Sequence, residues 1–407
     1  MQLNDRARSN CELGLDICAF LFLPILVLAA RGAAPLAGMA GICALGLAGN
    51  DLAAAWRRVR RFAPLLAALV LWGLVSSLWA IEPHRSLIIA MRLTGLFAAG
   101  LALIAAASKI HAPQRLMLSL MAGFVLSLVL AAAQFATHGA LTAALSRRPY
   151  IGASLNDIED GFVLLLPPIC ATLLLQQRRI AAGTLAGATV IAIFLLAGDA
   201  ARLGFIIGLA AAVSLYLGWG WLSRAAAIAS VIFILAAPLI LPSLANFASL
   251  RQDAAAFKIS VWHRLEIWSF VGGKIAEKPM LGWGLDSSRA IPGGDVIVPG
   301  SLLYLHETWL PLHPHDAALQ LWLELGVPGA ILLAALVVCV WLALATAPWP
   351  PLYAAAAGGS LVTALVVGFS SYGVWQEWWI GTQFLTLFLI LVLARLSSIA
   401  AALRPDQ

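Results

Sequence analysis

Apolar segments dominate this chain, and polar, basic or Gly/Pro-rich residues separate them at intervals typical of membrane helices. A helix needs about 20 apolar residues to cross the hydrocarbon core of a bilayer. The predicted spans are residues 13–30, 33–50, 62–80, 87–107, 116–137, 161–176, 180–198, 203–222, 225–243, 317–346, 352–371 and 379–401. The pattern therefore predicts an all-α, polytopic integral membrane protein with about twelve transmembrane helices, forming a single membrane domain over residues 1–407.

One long polar stretch, residues 244–316, interrupts this pattern and predicts a loop outside the membrane. Within it, residues 256–278 place apolar side chains, among them Val261, Leu265 and Trp268, at helical spacing. Such a segment, rich in tryptophan, is typical of an amphipathic helix that lies at the membrane interface. Residues 281–300 are rich in Gly and Pro, so we expect ordered turns there rather than a flexible linker.

The composition agrees with a membrane protein. Hydrophobic residues make up 62% of the 407 residues and charged residues only 11%, which excludes an ordinary soluble globular protein. We attribute the net charge of +6 to basic residues that orient the helices, so no nucleic-acid partner is predicted. The first apolar segment is predicted to remain as a membrane helix rather than to be removed as a signal peptide. The five cysteines lie in apolar segments or the N-terminal tail, and we expect neither disulfides nor a thiolate metal site.

Basic residues are distributed unevenly between alternate connections. The RRVRR cluster at residues 57–61 and most other basic residues lie inside if the N-terminus is cytoplasmic, in accord with the positive-inside rule. An even number of spans then brings both termini to the cytoplasmic side. In this arrangement the long loop 244–316 lies on the outer face.

The stretch Leu312–Ala330 carries polar groups directly before the tenth predicted span. Pro314 marks a helix start, and Asp316 is placed to cap the first turn. His315 is therefore predicted at the mouth of a membrane helix, where an imidazole can change charge near neutral pH. Its neighbour His313 is a candidate for orienting His315 or for binding sugar.

A zinc site is the metal-binding alternative for this cluster, because His313 and His315, with His306 or Asp316, offer suitable nitrogen and oxygen ligands. The intervening proline and the lack of a second ligand cluster disfavour it, so neither a metal nor a cofactor is predicted. Glu324 lies deeper in the same span. We expect it to be paired or protonated, and to have a structural role.

Four arginines at the outer face are candidates for binding an anionic ligand: Arg202, Arg264, Arg289 and Arg92. Arginine offers forked donors to phosphate oxygens and keeps its charge when partly desolvated. Simpler interpretations are interfacial side chains for Arg202 and Arg264 and a solvated loop for Arg289. Arg92 lies inside the fourth span, where an unpaired charge costs at least about 2.5 kcal/mol. A partner, such as Glu82 or a lipid headgroup, is therefore expected for it.

Aromatic residues accompany these charges. Trp262 and Trp268 flank Arg264, and residues 372–379 form another aromatic-rich outer segment. These rings are candidates for stacking on sugar faces, and anchoring at the membrane interface is the alternative.

Three motifs, in order along the chain, resemble those of the O-antigen ligase family. One is ARLG at residues 201–204, and the second combines RLEIW at 264–268 with EKPMLGWG at 277–284. In the third, His315 is followed by Asp316, nine residues and GVPG at 326–329. Two positions depart from the usual pattern: Ala201 replaces a serine, and Asp316 replaces an amide or hydroxyl residue. The aspartate would raise the basicity of the adjacent histidine.

The resemblance implies a GT-C-type glycosyltransferase of the bacterial inner membrane, with its active site facing the periplasm. It would move a glycan from undecaprenyl diphosphate to lipid A–core oligosaccharide in lipopolysaccharide biosynthesis, with inversion and without metal or nucleotide. His315 would be the general base, and Arg264 and Arg202 would stabilise the diphosphate. The residues implied in substrate binding are Arg289, His313, Asp316, Arg92 and Trp268.

Other functions stay open at this point. An O-antigen polymerase or a protein O-oligosaccharyltransferase would use the same chemistry with a different acceptor. A transporter would place ionisable groups near mid-membrane, on broken helices within inverted repeats. The polar residues here concentrate at one face, with Arg92 and Glu324 as the main exceptions.

Overall fold

A computed structural model describes residues 5–49, 51–146, 155–299 and 307–403. Over these ranges the protein is all-α, and an isolated bridge between Ile297 and Thr308 is the extent of its β structure. The helices are α1 (Asp5–Leu28), α2 (Ala33–Ala48), α3 (Leu52–Val59), α4 (Ala63–Ser76), α5 (Pro83–Ala106), α6 (Pro113–Ala136), α7 (Ala140–Ser146), α8 (Asn156–Leu175), α9 (Arg179–Leu195), α10 (Asp199–Ala245), α11 (Ala248–Phe257), α12 (Ile259–Glu277), α13 (Ala317–Ala345), α14 (Pro351–Gly368) and α15 (Glu377–Ala402).

The predicted class, an all-α polytopic membrane protein, is confirmed. Within the described ranges, 9 helices are long and apolar enough to cross a membrane, and the pair α3 and α4, bent by 72°, would bring the number to 10. The 17-residue α9 is apolar but shorter. Each predicted apolar segment coincides with a helix or with part of one.

The main difference from the predicted spans concerns α10. Segments 203–222 and 225–243 were predicted as separate spans, and α10 consists of two helices that meet at a kink at Gly218 (φ −146°, ψ 46°), a few residues before the predicted boundary. Residues 203–223 are aromatic, apolar or small, and the first charged residue after Arg202 is Arg224. The predicted boundary followed that charge, whereas the helical backbone breaks earlier, at a glycine.

The long loop is organised by two helices, α11 and α12. The amphipathic segment is confirmed as helical, and its buried face includes Leu265, Ile267 and Val271. The preceding helix α11 was not predicted. Arg251 of α11 donates a hydrogen bond to buried Glu266 of α12 at 2.8 Å, which ties the two helices together.

Helix α13 is broken at Gly326, whose φ of 65° and ψ of −156° are not helical. Because Pro328 has no N–H, the carbonyl of Glu324 has no partner within the helix. The turn that follows α12 supplies the missing hydrogen bonds, as expected where a helix is broken at membrane depth. The backbone hydrogen bonds are Trp283 N to Leu323 O (2.9 Å), Gly284 N to Glu324 O (2.8 Å) and Val327 N to Pro279 O (3.0 Å).

Glycines allow these two backbones to approach. A Cβ atom at Gly326 would lie 2.4 Å from the carbonyl oxygen of Met280, and one at Gly282 would lie 2.4 Å from the carbonyl carbon of Glu324. Both glycines also have positive φ, which side-chain-bearing residues rarely adopt. The glycine spacings in the second and third motifs therefore have a shared physical cause.

Candidate active site

The histidine pair precedes α13 and is held from two sides. Asp316 caps the helix as predicted, because its Oδ1 accepts a hydrogen bond from the backbone N–H of Leu319 at 2.7 Å. The indole N–H of Trp268 on α12 donates to the carbonyl of Pro314 at 3.1 Å. His315 itself adopts a φ of +55°, a conformation that is uncommon outside glycine and is concentrated at functional sites.

A backbone carbonyl fixes the tautomer of His315. Its Nδ1 lies 2.5 Å from the carbonyl oxygen of Ser371, in the connection between α14 and α15. A carbonyl oxygen only accepts hydrogen bonds, so Nδ1 carries the proton in the neutral ring and Nε2 keeps a free lone pair. Burial, together with the positive charge of Arg264, lowers the pKa of His315 to about 4, against the opposing effect of the Ser371 hydrogen bond. The imidazole is thus neutral at neutral pH. The expectation that Asp316 raises the basicity of His315 is wrong. The Asp316 carboxylate turns toward the N-terminus of α13 and caps it, and the pKa of His315 is lowered.

His313 packs beside His315, with ring centroids 4.3 Å apart. Its Nδ1 accepts the backbone N–H of His315 at 3.2 Å, so its own proton resides on Nε2. That atom lies 3.3 Å from Nε2 of Gln376, whose Oε1 is buried without a partner. Rotating the amide exchanges its two ends and satisfies both groups. Burial, with the charges of the surrounding cations, lowers the pKa of His313 to about 3.

Arg264 is half-buried on α12 and forms no hydrogen bond or ion pair with any residue in the described ranges. Its charge lowers the pKa of both His313 and His315, so it faces the histidine pair closely enough to act on each. Burial lowers the pKa of Arg264 itself, and the carboxylate of Asp199 opposes this shift. A partly desolvated guanidinium with open donors is the kind of group that binds an anion.

Arg202, in the first turn of α10, is more fully engaged. Its Nε donates to the carbonyl of Ile193 at 3.1 Å and its Nη2 donates to the carbonyl of Leu196, so it closes the end of α9. Its Nη1 lies 3.7 Å from Asp199, which also pairs with Lys258 directly before α12. Arg202 and Arg264 therefore share Asp199 as their neighbouring carboxylate, but their hydrogen-bonding states differ.

A cavity of about 380 Å³ opens on the other side of His313. Two of the four predicted arginines, Arg92 and Arg289, line it together with His313. Two further arginines on its wall, Arg31 and Arg85, were not predicted. Their positions in the sequence could have identified them as outer-face residues, because Arg31 lies in the short link between the first two spans and Arg85 lies at the start of α5.

Arg92 has the partner that the sequence required, but the partner is not Glu82. Its Nη1 lies 2.9 Å from Oε1 of Glu377, at the start of α15. Glu82 lies 3.8 Å from Arg85 instead. Proximity in sequence suggested the wrong carboxylate, because α15 packs against α5 in the folded bundle.

Glu324, predicted to be paired or protonated, is fully buried in α13 and is hydrogen-bonded to neutral groups. The four shortest hydrogen bonds to its carboxylate come from groups that surround it. These are the backbone N–H of Asp286 (2.5 Å), the hydroxyl of Ser288 (2.5 Å), the indole N–H of Trp375 (2.6 Å) and the side chain of Gln320 (3.0 Å). The carboxylate thereby fixes the turn that carries Arg289 against α13.

Among the residues that the structure describes, no group of three or more His, Cys, Asp or Glu side chains is arranged to hold a metal ion. His306, a ligand in the zinc alternative, lies outside the described residues. The remaining histidine near the pair, His263, is engaged by the carbonyl of Thr308 at 2.7 Å and by Glu307 at 2.9 Å.

Comparison with known proteins identifies the segment that contains these groups. Residues 163–334 match the family model described as O-antigen ligase. A Rickettsia conorii protein named "Putative polysaccharide ligase" is 38% identical over 148 residues, which are 36% of this chain and 35% of that protein. A Rickettsia prowazekii protein of the same name is 37% identical over 147 residues, 35% of this chain and 36% of that protein. The chain thus matches about a third of the length of these curated relatives.

The family segment runs from α8 into α13 and includes Arg202, Arg264, Arg289 and His315. These are the residues whose geometry distinguishes the site: a neutral histidine with an open Nε2, and cationic groups on either side of it. Over residues 163–334, this chain is therefore similar to the O-antigen ligase family.

Proposed function

We propose that this protein is an O-antigen ligase that transfers a glycan from undecaprenyl diphosphate to lipid A–core oligosaccharide. The observation that carries the proposal is that a neutral His315, whose Nδ1–H donates to Ser371, lies near an Arg264 guanidinium that forms no hydrogen bond or ion pair within the described ranges. The family segment and the names of the Rickettsia relatives support ligase-type chemistry.

In the proposed reaction, Nε2 of His315 accepts the proton of an acceptor hydroxyl as its oxygen attacks the anomeric carbon. A new C–O bond to the acceptor forms while the C–O bond to the diphosphate breaks. The bonding electrons leave with undecaprenyl diphosphate, and the proton stays on His315 until water removes it. Direct displacement inverts the anomeric configuration.

Arg264 is the proposed principal stabiliser of the leaving group. Negative charge on the diphosphate increases as its bond to the sugar breaks, so an open guanidinium favours the transition state over the ground state. Arg202 is the second catalytic candidate, supported by its location beside Asp199 on the same side as Arg264. Its hydrogen bonds to the end of α9 also give it a positioning role.

The remaining substrate-binding candidates have distinct proposed contributions. Trp268 positions the histidine loop through its indole N–H and can present its ring face to a sugar. Asp316 has one carboxylate oxygen, Oδ2, buried without a hydrogen-bond partner in the described structure, which a substrate hydroxyl can satisfy. His313, Arg289 and Arg92 line the cavity beside the base.

The proposal includes a location and a set of partners. The protein would be a multi-pass GT-C-type enzyme of the bacterial inner membrane, with both termini cytoplasmic, surrounded by membrane lipids and open to the periplasm at His315. The uneven distribution of basic residues supports this orientation. The donor already carries its diphosphate leaving group, so the proposed step uses no nucleotide and no metal.

The test is transfer by the purified protein in detergent, with a lipid-diphosphate glycan as donor and three separate acceptors. Lipid A–core should become glycosylated, with or without EDTA. Elongation of the donor glycan itself would indicate a polymerase, and modification of an acceptor protein would indicate an oligosaccharyltransferase. Absence of transfer to all three acceptors would contradict the proposed chemistry and would favour a transporter.

A further inference from the structure

We infer that the arginine-lined cavity beside His313 binds an anionic group, a phosphate or a carboxylate, on the acceptor glycolipid. We call it the acceptor cavity; its cationic wall consists of Arg31, Arg85, Arg92 and Arg289. The inference deepens the proposed function, because it names a second anion subsite for the same reaction and rests on that reaction.

The cavity carries an excess of positive charge. Its four arginines face two lining carboxylates, Asp286 and Glu377. Arg85 lies 2.5 Å from Asp286, Arg289 lies 3.7 Å from the same carboxylate, and Arg92 pairs with Glu377. Arg31 forms no hydrogen bond or ion pair in the described part of the chain. One anionic group would therefore find an open guanidinium and others that can share their donors.

The size and shape of the cavity suit part of an elongated ligand. Its volume of about 380 Å³ is within the range of about 300–1,000 Å³ that is usual for small-molecule sites. Arg85 and Arg92 are seven residues apart on α5, so they lie on one face with a separation of about 10 Å along the helix axis. Arg31 and Arg92 are exposed, which leaves the cavity open toward the surface of the bundle.

The cavity is also adjacent to the proposed base. His313 lines the cavity, and its ring centroid lies 4.3 Å from that of His315. An anion held by the arginines would bring neighbouring hydroxyls of the same molecule toward Nε2 of His315. Orientation of the nucleophile in this way contributes to catalysis by reducing the entropy lost in the reaction step.

Two separate cationic regions flank the histidine pair, which argues for two anionic substrates. Arg264 of α12 forms no hydrogen bond to a carboxylate among the residues that the structure describes, and such a group suits a leaving diphosphate whose charge increases in the transition state. Three arginines of the acceptor cavity are already paired with carboxylates. Partly compensated charges of this kind suit reversible binding of a fixed charge, so we assign the cavity to the acceptor.

The experiment measures kinetics for the wild type, the double variant Arg31→Gln/Arg92→Gln and the control variant Arg179→Gln. Arg179 is exposed at the start of α9, outside the cavity. The acceptor is lipid A–core, used before and after phosphatase treatment, and direct binding of labelled acceptor is measured without donor. Thermal unfolding midpoints of all three proteins establish that they are folded.

We expect the double variant to raise the acceptor KM at least about tenfold, since a hydrogen bond to a charged group contributes about 1.5–3 kcal/mol and about 1.4 kcal/mol corresponds to a factor of ten. The donor KM and kcat should stay close to wild type, as should every parameter of Arg179→Gln. With phosphatase-treated acceptor, the difference between double variant and wild type should shrink, which would identify phosphate rather than carboxylate as the recognised group. A difference that persists would identify carboxylate.

An increase in donor KM with an unchanged acceptor KM would overturn the inference, because the cavity would then bind the donor. Competition by phosphatidylglycerol vesicles as strong as that by the acceptor would also overturn it and assign the cavity to lipid headgroups. Equal binding of the labelled acceptor by the wild type and the double variant would likewise overturn the inference. Failure of the proposed function is distinguishable, since wild-type protein would then bind acceptor without transferring glycan to it.

Discussion

The Nδ1 atom of His315 lies 2.5 Å from the backbone carbonyl oxygen of Ser371, which is 56 residues away in the sequence. This contact joins the mouth of α13 to the connection between α14 and α15. Because the hydrogen-bond acceptor is the main-chain carbonyl of Ser371, no side-chain substitution at position 371 removes this hydrogen bond directly. The tautomer of the proposed base is therefore determined by how the helices pack, and Nε2 is left free for a substrate proton.

The pH dependence of transfer should reflect the environment of His315. The base acts in its neutral form, so activity is lost as pH falls through its pKa. Burial and Arg264 lower that pKa to about 4, from an ordinary histidine value of about 6.5. We predict that kcat/KM, which reports the free enzyme, stays level between about pH 5 and 7 and declines near pH 4.

The variant Arg264→Gln provides a second measurement of the same electrostatic effect. Loss of the positive charge should raise the pKa of His315, so the acidic limb of the profile should move to higher pH while the maximal rate falls. A limb that remains at the wild-type position would show that Arg264 does not act on the titrating group.

The two proposed catalytic arginines should respond differently to replacement by lysine. Arg264→Lys keeps the charge but loses the planar fork, so transfer should fall at least about tenfold with an unchanged unfolding midpoint. Arg202→Lys also loses the hydrogen bonds to Ile193 and Leu196, and its unfolding midpoint should decrease. Transfer assays and thermal unfolding in detergent measure both effects. Near-normal transfer by Arg264→Lys would remove this residue from the mechanism.

The break in α13 should not tolerate a side chain. Gly326→Ala places a Cβ 2.4 Å from the carbonyl oxygen of Met280 and forces alanine into a φ/ψ region that is essentially restricted to glycine, which alone costs about 1–3 kcal/mol. We predict a lowered unfolding midpoint and loss of transfer. The matched control is Gly273→Ala on α12, where no atom lies within 4 Å of the added Cβ; its stability and activity should stay close to wild type.

Asp316→Asn should stabilise the protein at neutral and higher pH. Burial raises the pKa of Asp316 to about 7, so between pH 4 and 7 the folded state binds more protons than the unfolded state. Stability therefore decreases as pH rises across this window. Asparagine keeps the helix cap without a buried charge. The variant should show a higher unfolding midpoint at pH 8 and a weaker pH dependence, whereas an unchanged pH dependence would contradict a titration of Asp316 in this window.

The sequence was sufficient to predict the helical class, the cap at Asp316 and the presence of a partner for Arg92, because these follow from local pattern and from the cost of an unpaired charge. It could not identify Glu377 as that partner, since the pairing depends on α15 packing beside α5. The position of the kink in α10 was also not predicted, because the boundary was placed next to Arg224, the first charge, whereas the break lies at Gly218.

The site itself was only partly predictable. His315 and Arg264 stood out through their motifs, and the structure brings them close enough for the arginine to lower the histidine's pKa. The roles of Ser371, Arg31 and Arg85 arise from contacts between distant segments. The glycine motifs were recognised by resemblance. The structure explains them, because the turn after α12 approaches the broken α13 closely at these glycines.

The central claim, that His315 is the general base of glycan transfer, is tested most directly by the single-turnover rate of His315→Ala with a lipid-diphosphate glycan and lipid A–core. The matched control is His313→Ala, which removes the adjacent imidazole and leaves Nε2 of His315 in place. We predict loss of transfer in His315→Ala, about a hundredfold or more, with donor binding and the unfolding midpoint retained, and a smaller decrease in His313→Ala. A near-normal single-turnover rate in folded His315→Ala protein would contradict the claim.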